Sequence, residues 1–314
     1  MKKVMAIAGL LLALLLLSAC APLRGRQREE QLVPDFRVGS QGLVLSFEPN
    51  LPPTRLYDDQ PFEAVLRIEN RGAFDVGGAG DKVYISGFDP SIITGISTFG
   101  AQIPKLEGKS LAQPIGLQDV VQFRGTIRDL RSKGIDQYRT RILGTACYGY
   151  QTIATANVCI DPDPYSLTVK QKVCTPQNVA LGGGQAAPIA VTNIQLEPSK
   201  GKTRFRIAIA NVGGGEVFKP GATYLSKCSP YAAEGLRYDE FDYVRLDDVS
   251  VAGRSITSTC RPAPDVKLSG GLATVFCELS GIPQGSAFVS PLTITISYGY
   301  RSSVVRDITI LSSR

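Results

Sequence analysis

The sequence contains no histidine and no tryptophan in 314 residues. Without histidine there is no Ser-His-Asp or Cys-His nucleophile system and no histidine-ligated zinc site. Without tryptophan the commonest platform for stacking a sugar ring is gone, although the 12 tyrosines can serve. No Cys-x-x-Cys pair occurs, which argues against a zinc ribbon or a thioredoxin-type redox site. Stretches of helical period are scarce, whereas glycine (32) and proline (20) are plentiful. No basic stripe interleaved with aromatic residues appears, so nucleic acid is not an expected partner. The triplet Gly182-Gly183-Gly184 lacks a following Gly-Lys-Ser/Thr and a helix, so it is not a phosphate loop.

The most informative stretch is the first. Lys2 and Lys3 precede an unbroken apolar run from Val4 to Leu17, which ends on Leu17-Ser18-Ala19-Cys20. Charge, apolar core and small residues in that order are the layout of a secretory signal. The run is short of the ~20 residues that a membrane span needs. The Leu-Ser-Ala-Cys ending resembles the lipobox of prokaryotic lipoproteins. The resemblance implies that residues 1–19 are removed and that Cys20 is lipidated on its sulfur and becomes the N-terminus. Two acyl chains would hold the protein stably on a membrane. The formal charge of +6 falls to about +4 once Lys2 and Lys3 are removed. Residues 20–41 read as a tether, with Arg24, Arg26 and Arg28 near the anchor and prolines at 22 and 34.

Setting Cys20 aside, six cysteines remain: Cys147, Cys159, Cys174, Cys228, Cys260 and Cys277. An even number in an exported chain reads as a disulfide framework. Cys147 and Cys159 flank Tyr148-Gly149-Tyr150-Gln151-Thr152 and are expected on the two arms of one hairpin. Cys260 and Cys277 flank a second turn signal, Ser269-Gly270-Gly271. Cys174 is then left with Cys228.

Strand signals begin at Leu43–Phe47. In Phe62–Asn70, residues Phe62, Ala64, Leu66 and Ile68 fall on one face, and Glu63, Arg67 and Glu69 on the other. This is the period of a strand with one face on a core. Further strands are expected at Lys82–Ser86, Ile92–Phe99 and Asp119–Ile127, with a closing hairpin of Tyr138–Tyr150 and Ile153–Ile160. Asp161-Pro162-Asp163-Pro164 reads as a boundary, because two prolines cannot feed an inner strand. A second cycle follows: Tyr165–Val173, Ile189–Leu196, the alternating Thr203–Ala210, and a last hairpin of Leu292–Tyr300 with Val304–Leu311.

The two cycles overlay. Asn70-x-Gly72 matches Asn211-x-Gly213, Val76 matches Val217, and Tyr148-Gly149-Tyr150 matches Tyr298-Gly299-Tyr300. The first anchors lie 141 residues apart and the last 150, which places an insertion in the second copy, expected within Ser226–Val251. The reading is an all-β chain of two tandem immunoglobulin-like sandwiches, residues 42–162 and 163–314, behind a signal-peptide helix. The Glu-Pro, alternating strand and Asn-x-Gly pattern resembles the immunoglobulin-like modules of the CARDB kind, found on prokaryotic cell-surface proteins. The whole chain also resembles exported proteins of small-genome archaea that carry paired modules of this sort. The resemblance brings no catalytic residues with it.

Acidic residues offer the remaining candidates. Asp239, Glu240, Asp242, Asp247 and Asp248 form an acidic segment that lacks ordered calcium-loop spacing and reads as a solvated insertion. Asp161 and Asp163 read as part of a stiff linker rather than an interdomain calcium site. Tyr148, Tyr150, Tyr298 and Tyr300 are expected to pack in a core or on a sheet. The expected function is a non-enzymatic, lipid-anchored binding or structural module of the cell envelope, with no cofactor, whose partners are the membrane and other envelope proteins. The alternatives are a hydrolase using paired carboxylates, and a subunit of a surface filament or coat.

Overall fold

The computed structural model describes residues 36–166 and 172–313. The expected signal peptide (residues 1–19), Cys20 and most of the expected tether lie outside the described residues, as does the middle of the strand expected at Tyr165–Val173. The first half carries β1 (Leu43–Phe47), β2 (Arg55–Tyr57), β3 (Pro61–Asn70), β4 (Lys82–Ser86), β5 (Ile93–Thr94), β6 (Ala101–Gln102), β7 (Gln118–Ile127) and β8 (Gln137–Ile160). The second carries β9 (Val179–Ala180), β10 (Ile189–Ser199), β11 (Lys202–Asn211) and β12 (Glu216–Phe218), then a short helix α1 (Ala222–Lys227). After it come β13 (Tyr243–Val251), β14 (Arg254–Ser255), β15 (Asp265–Lys267), β16 (Leu272–Ser280) and β17 (Phe288–Leu311).

The fold is all-β, as the alternating patterns require. Two four-stranded sheets, β1-β3-β7-β5 and β16-β11-β10-β9, accompany a nine-stranded sheet whose main path is β14-β13-β17-β8-β4-β6. Phe62, Ala64, Leu66 and Ile68 of β3 are fully buried, and so are Phe205, Ile207 and Ile209 of β11. These residues share one continuous core with Ile85, Tyr148, Ile294 and Ile310 of the large sheet. In β3 and β11 every second residue has left water, which is the main favourable term in holding such layers together.

The expected hairpins do not form. Tyr138–Tyr150 and Ile153–Ile160 are one uninterrupted 24-residue strand, β8, and Leu292–Tyr300 continues into Val304–Leu311 as the 24-residue β17. The reason lies in the side-chain alternation. Tyr148, Tyr150, Thr152, Ala154, Ala156 and Val158 are all buried, so the period of two passes through the glycine without a break. The two long strands pair antiparallel over their full length, with Gly149 opposite Gly299, Tyr148 opposite Tyr300 and Tyr150 opposite Tyr298.

This pairing changes the domain picture. The expected division at 162/163 gives two separate sandwiches, whereas the described residues belong to one compact unit. Strand ends are exchanged across its centre. The C-terminal part of β17 runs under β1, where the Arg306 guanidinium donates to the carbonyls of Glu48 (2.9 Å) and Pro52 (3.0 Å) and lies over the Phe47 ring. The C-terminal part of β8 runs under β10, where the Thr152 hydroxyl donates to the Ile189 carbonyl at 2.7 Å. The extra segment in the second half also ends earlier than the expected Val251. β13 belongs to the large sheet, paired with β17, so only the chain before Tyr243 is inserted.

Candidate functional site

At the crossing of β8 and β17 four tyrosine rings close a square. Centroid distances are 5.9 Å for Tyr148–Tyr150, 5.9 Å for Tyr148–Tyr300, 6.1 Å for Tyr150–Tyr298 and 6.2 Å for Tyr298–Tyr300. Their hydroxyls anchor the loops above. Tyr148 accepts from the Leu43 N–H and Tyr298 from the Ile189 N–H, at 3.1 and 3.3 Å. Leu43 and Ile189 sit at matching register positions, opposite Asn70 and Asn211. Tyr300 donates to Asn211 Oδ1 at 3.1 Å and accepts from the Gly215 N–H at 2.8 Å. Tyr150 contacts Asn70 Oδ1 and Phe74 N–H in the same way, at 3.5 and 3.3 Å. Each asparagine amide in turn donates back, Asn70 to the Phe74 carbonyl and Asn211 to that of Gly215. The Asn-x-Gly motif is thus a buried polar knot that each half ties to its own Tyr-Gly-Tyr strand.

Burial raises the pKa of all four phenols, pushing Tyr300 up to about 12. At neutral pH all four stay protonated, and their hydroxyls are taken up by the hydrogen bonds just described.

The opposite face of the large sheet holds a different cluster. Cys147, next to Tyr148, points away from the tyrosines and is bonded to Cys228, just after α1. Tyr84, Phe218 and Leu225 are buried around this bond. The other disulfides are Cys159–Cys174 and Cys260–Cys277. Only Cys260–Cys277 was expected. Cys147 and Cys159 cannot pair, because they lie twelve residues apart on one extended strand, roughly 40 Å of chain. Cys174 therefore bonds Cys159 rather than Cys228. Three disulfides mark an oxidising, extracytoplasmic environment.

Between the insertion and β4 lies a cleft of about 330 Å³, lined by Lys82, Tyr84, Phe99, Ser226, Ser229 and Tyr231 among others. The Tyr231 hydroxyl donates to the Ile85 carbonyl at 2.7 Å, bringing the inserted segment onto the first half. Phe99 is 80% exposed at the cleft, and Lys82 Nζ donates to the Phe99 carbonyl at 3.0 Å. The arrangement offers an aromatic face, hydroxyls and one cation, which suits binding. These residues were not singled out by sequence reasoning. Phe99, exposed beside Gly100, lies beyond the strand expected over Ile92–Phe99, which stops at Thr94.

The acidic candidates do not converge. Asp239 pairs with Arg237, which lowers its carboxyl below the usual range. Glu240 accepts from the Arg237 N–H and from Lys227, and is lowered by both in that order. Asp248 is lowered by the hydroxyls of Ser255 and Thr257. Asp247 accepts from the Ser297 hydroxyl. Asp161 is buried and holds Lys172 at 2.6 Å as well as the Asp163 N–H. Among the described residues no three acidic or sulfur ligands gather into a metal site. Nor does any helix among them have the length and apolarity to cross a membrane.

No protein-family model matches the chain, and no curated relative matches it. Among solved structures the chain is similar to the secreted serine protease VesC from Vibrio cholerae, at 11% identity and a TM-score of 0.20. That alignment covers 84% of this chain and 51% of the other, so this chain spans about half of that protein's length. A likeness at this level carries no argument about fold or activity.

Proposed function

We propose that the protein is a non-enzymatic, lipid-anchored display scaffold of the cell envelope. In this reading residues 1–19 are a signal peptide, Cys20 carries the lipid, and the body arose by duplication of one CARDB-like, immunoglobulin-like β unit. The recurrence of the Asn-x-Gly and Tyr-Gly-Tyr knot in both halves supports the duplication. The observation that carries the functional reading is the way the body is locked. A 24-residue strand pair and the Cys147–Cys228 bond tie both halves together, and the cleft at Phe99 and Tyr231 is walled by both. Binding residues on a rigid frame lose little freedom when a partner docks. Carboxylate hydrolysis needs one acid whose pKa is raised. Each carboxylate with a shifted pKa among the described residues, Asp58, Asp89, Asp239, Glu240 and Asp248, is instead lowered.

The test is fractionation of cells expressing Cys20→Ala. The expected result is a folded protein released from the membrane fraction; a variant that stays membrane-bound contradicts the anchor. For the scaffold, the double variant Phe99→Ala/Tyr231→Ala should lose envelope proteins that cross-link to the wild type. Unchanged cross-links would remove the cleft from the account.

A further inference from the structure

The anchored chain meets its body beside a loop that has no counterpart in the other half. Residues 110–118, Ser-Leu-Ala-Gln-Pro-Ile-Gly-Leu-Gln, carry no charge. Leu111 is 62% exposed and Ile115 73%. The base of the loop is fixed: the Leu117 N–H donates to the Glu107 carbonyl (3.0 Å), the Asn70 N–H to that of Leu117 (2.9 Å), and the Lys109 N–H to that of Gly72 (2.7 Å). Ser110 and Gln113 close a turn through reciprocal backbone bonds. The loop thus holds its apolar tip out in water on a prepared frame, where another apolar surface can cover it.

Two observations indicate what covers it. The first is position. Lys109 Nζ donates to the Val38 carbonyl at 3.4 Å, and the Gly39 N–H donates to Gly183 at 2.7 Å, so the incoming N-terminal segment is fixed beside the base of the loop. Sixteen residue steps separate Cys20 from Phe36. A flexible chain of that length spans ~20 Å on average and at most ~55 Å. A lipid on Cys20 therefore keeps the bilayer surface within reach of the loop. The second is asymmetry. β7 lies on β3 as β16 lies on β11, and the Asn211 N–H donates to the Gly271 carbonyl as Asn70 does to Leu117. At that place the second half has only the tight turn Ser269–Leu272. The apolar loop exists in the half that receives the anchored segment.

We propose that the 110–118 loop, led by Leu111 and Ile115, docks into the interfacial region of the membrane that holds the anchor. This inference rests on the anchored reading above. Two apolar side chains give a weak contact alone, and the tether makes it count by raising the local concentration of bilayer. The consequence is a fixed orientation of the body on the membrane.

The experiment couples the chain from Cys20 onward through its Cys20 thiol to a maleimide lipid in phosphatidylcholine–phosphatidylglycerol vesicles, the other six cysteines being paired. Hydrogen exchange of residues 110–118 is then compared with that of the same chain capped by a soluble thiol. Exchange in the loop should slow several-fold on vesicles, and the surface variant Leu111→Asp/Ile115→Asp should abolish the slowing while the rest of the body exchanges as before. Equal rates on and off vesicles would overturn the proposal. So would slowing that survives in the variant, or slowing that needs added envelope protein. Because the coupling is chemical, these outcomes do not depend on native lipidation, which the Cys20→Ala fractionation tests separately.

Discussion

Tyr148 stands directly opposite Tyr300 across the central strand pair, their rings 5.9 Å apart, and Tyr150 and Tyr298 complete the square. The folded protein keeps these four phenols neutral because burial penalises the phenolate. An unfolded chain gives up those protons near pH ~10. Between there and the raised folded values the native state binds more protons than the unfolded one. Stability is therefore fully present below about pH 10 and falls as pH rises through the folded values, by about 1.4 kcal/mol per pH unit for each phenol still protonated. Urea unfolding should show a midpoint that drops steeply above about pH 10, with the four buried phenols adding their tyrosinate absorbance only as the protein unfolds. Phenolate signal from all tyrosines in a still-folded protein would contradict this.

Tyr298→Phe should cost about 1–3 kcal/mol. In the wild type the Tyr298 hydroxyl accepts from the Ile189 N–H and pairs with the Thr152 hydroxyl at 2.9 Å, and Thr152 donates on to the Ile189 carbonyl. Removing the phenol oxygen leaves a buried N–H without an acceptor. Chemical denaturation measures the loss, and an unchanged midpoint would show that the ring alone matters.

Gly149 and Gly299 hold matching places but should not tolerate alanine equally. A methyl at Gly149 meets nothing closer than Asp81 Oδ1 at 4.0 Å. One at Gly299 runs into the Phe218 ring. Gly299→Ala should destabilise by about 1–3 kcal/mol, as overpacking does, and Gly149→Ala by less than about 1 kcal/mol. Denaturation of both variants decides it, and equal effects would contradict the packing described.

Much of this was legible in advance. The alternation in Phe62–Ile68 and Phe205–Ile209 declared the strands and their buried faces, and the Asn-x-Gly and Tyr-Gly-Tyr matches showed that the halves correspond. What misled was Gln151-Thr152. The pair is expected to turn between Tyr138–Tyr150 and Ile153–Ile160, yet both residues sit mid-strand, opposite Ser297 and Ile296. Once a hairpin is assumed, Cys147 and Cys159 become neighbours. In one strand they are far apart, and Cys147 turns toward the inserted segment. Local patterns reveal which face is buried but not which distant segment will cover it. The exchange of strand ends and the cleft at Phe99 and Tyr231 depend on that second kind of information. Leu111 and Ile115 could not be flagged as exposed without coordinates, because an apolar run reads equally well as core.

The Cys147–Cys228 bond closes a loop of 81 residues, against 15 and 17 for the other two. Chain-entropy reasoning then gives it the largest share, about 4.5 kcal/mol against about 3 kcal/mol each. Cys147→Ala/Cys228→Ala should lower the unfolding midpoint more than either other paired replacement. A smaller loss would place the stabilisation elsewhere.

We propose an exported body whose halves are locked together behind a lipidated cysteine. Mass spectrometry of non-reduced peptides from protein purified out of native envelopes tests this most directly. It should find an N-terminal peptide beginning at acylated Cys20, with cross-linked peptides joining Cys147 to Cys228, Cys159 to Cys174 and Cys260 to Cys277. Free thiols at these positions, a Cys147–Cys159 link, or an unmodified Cys20 inside an intact N-terminus would contradict it.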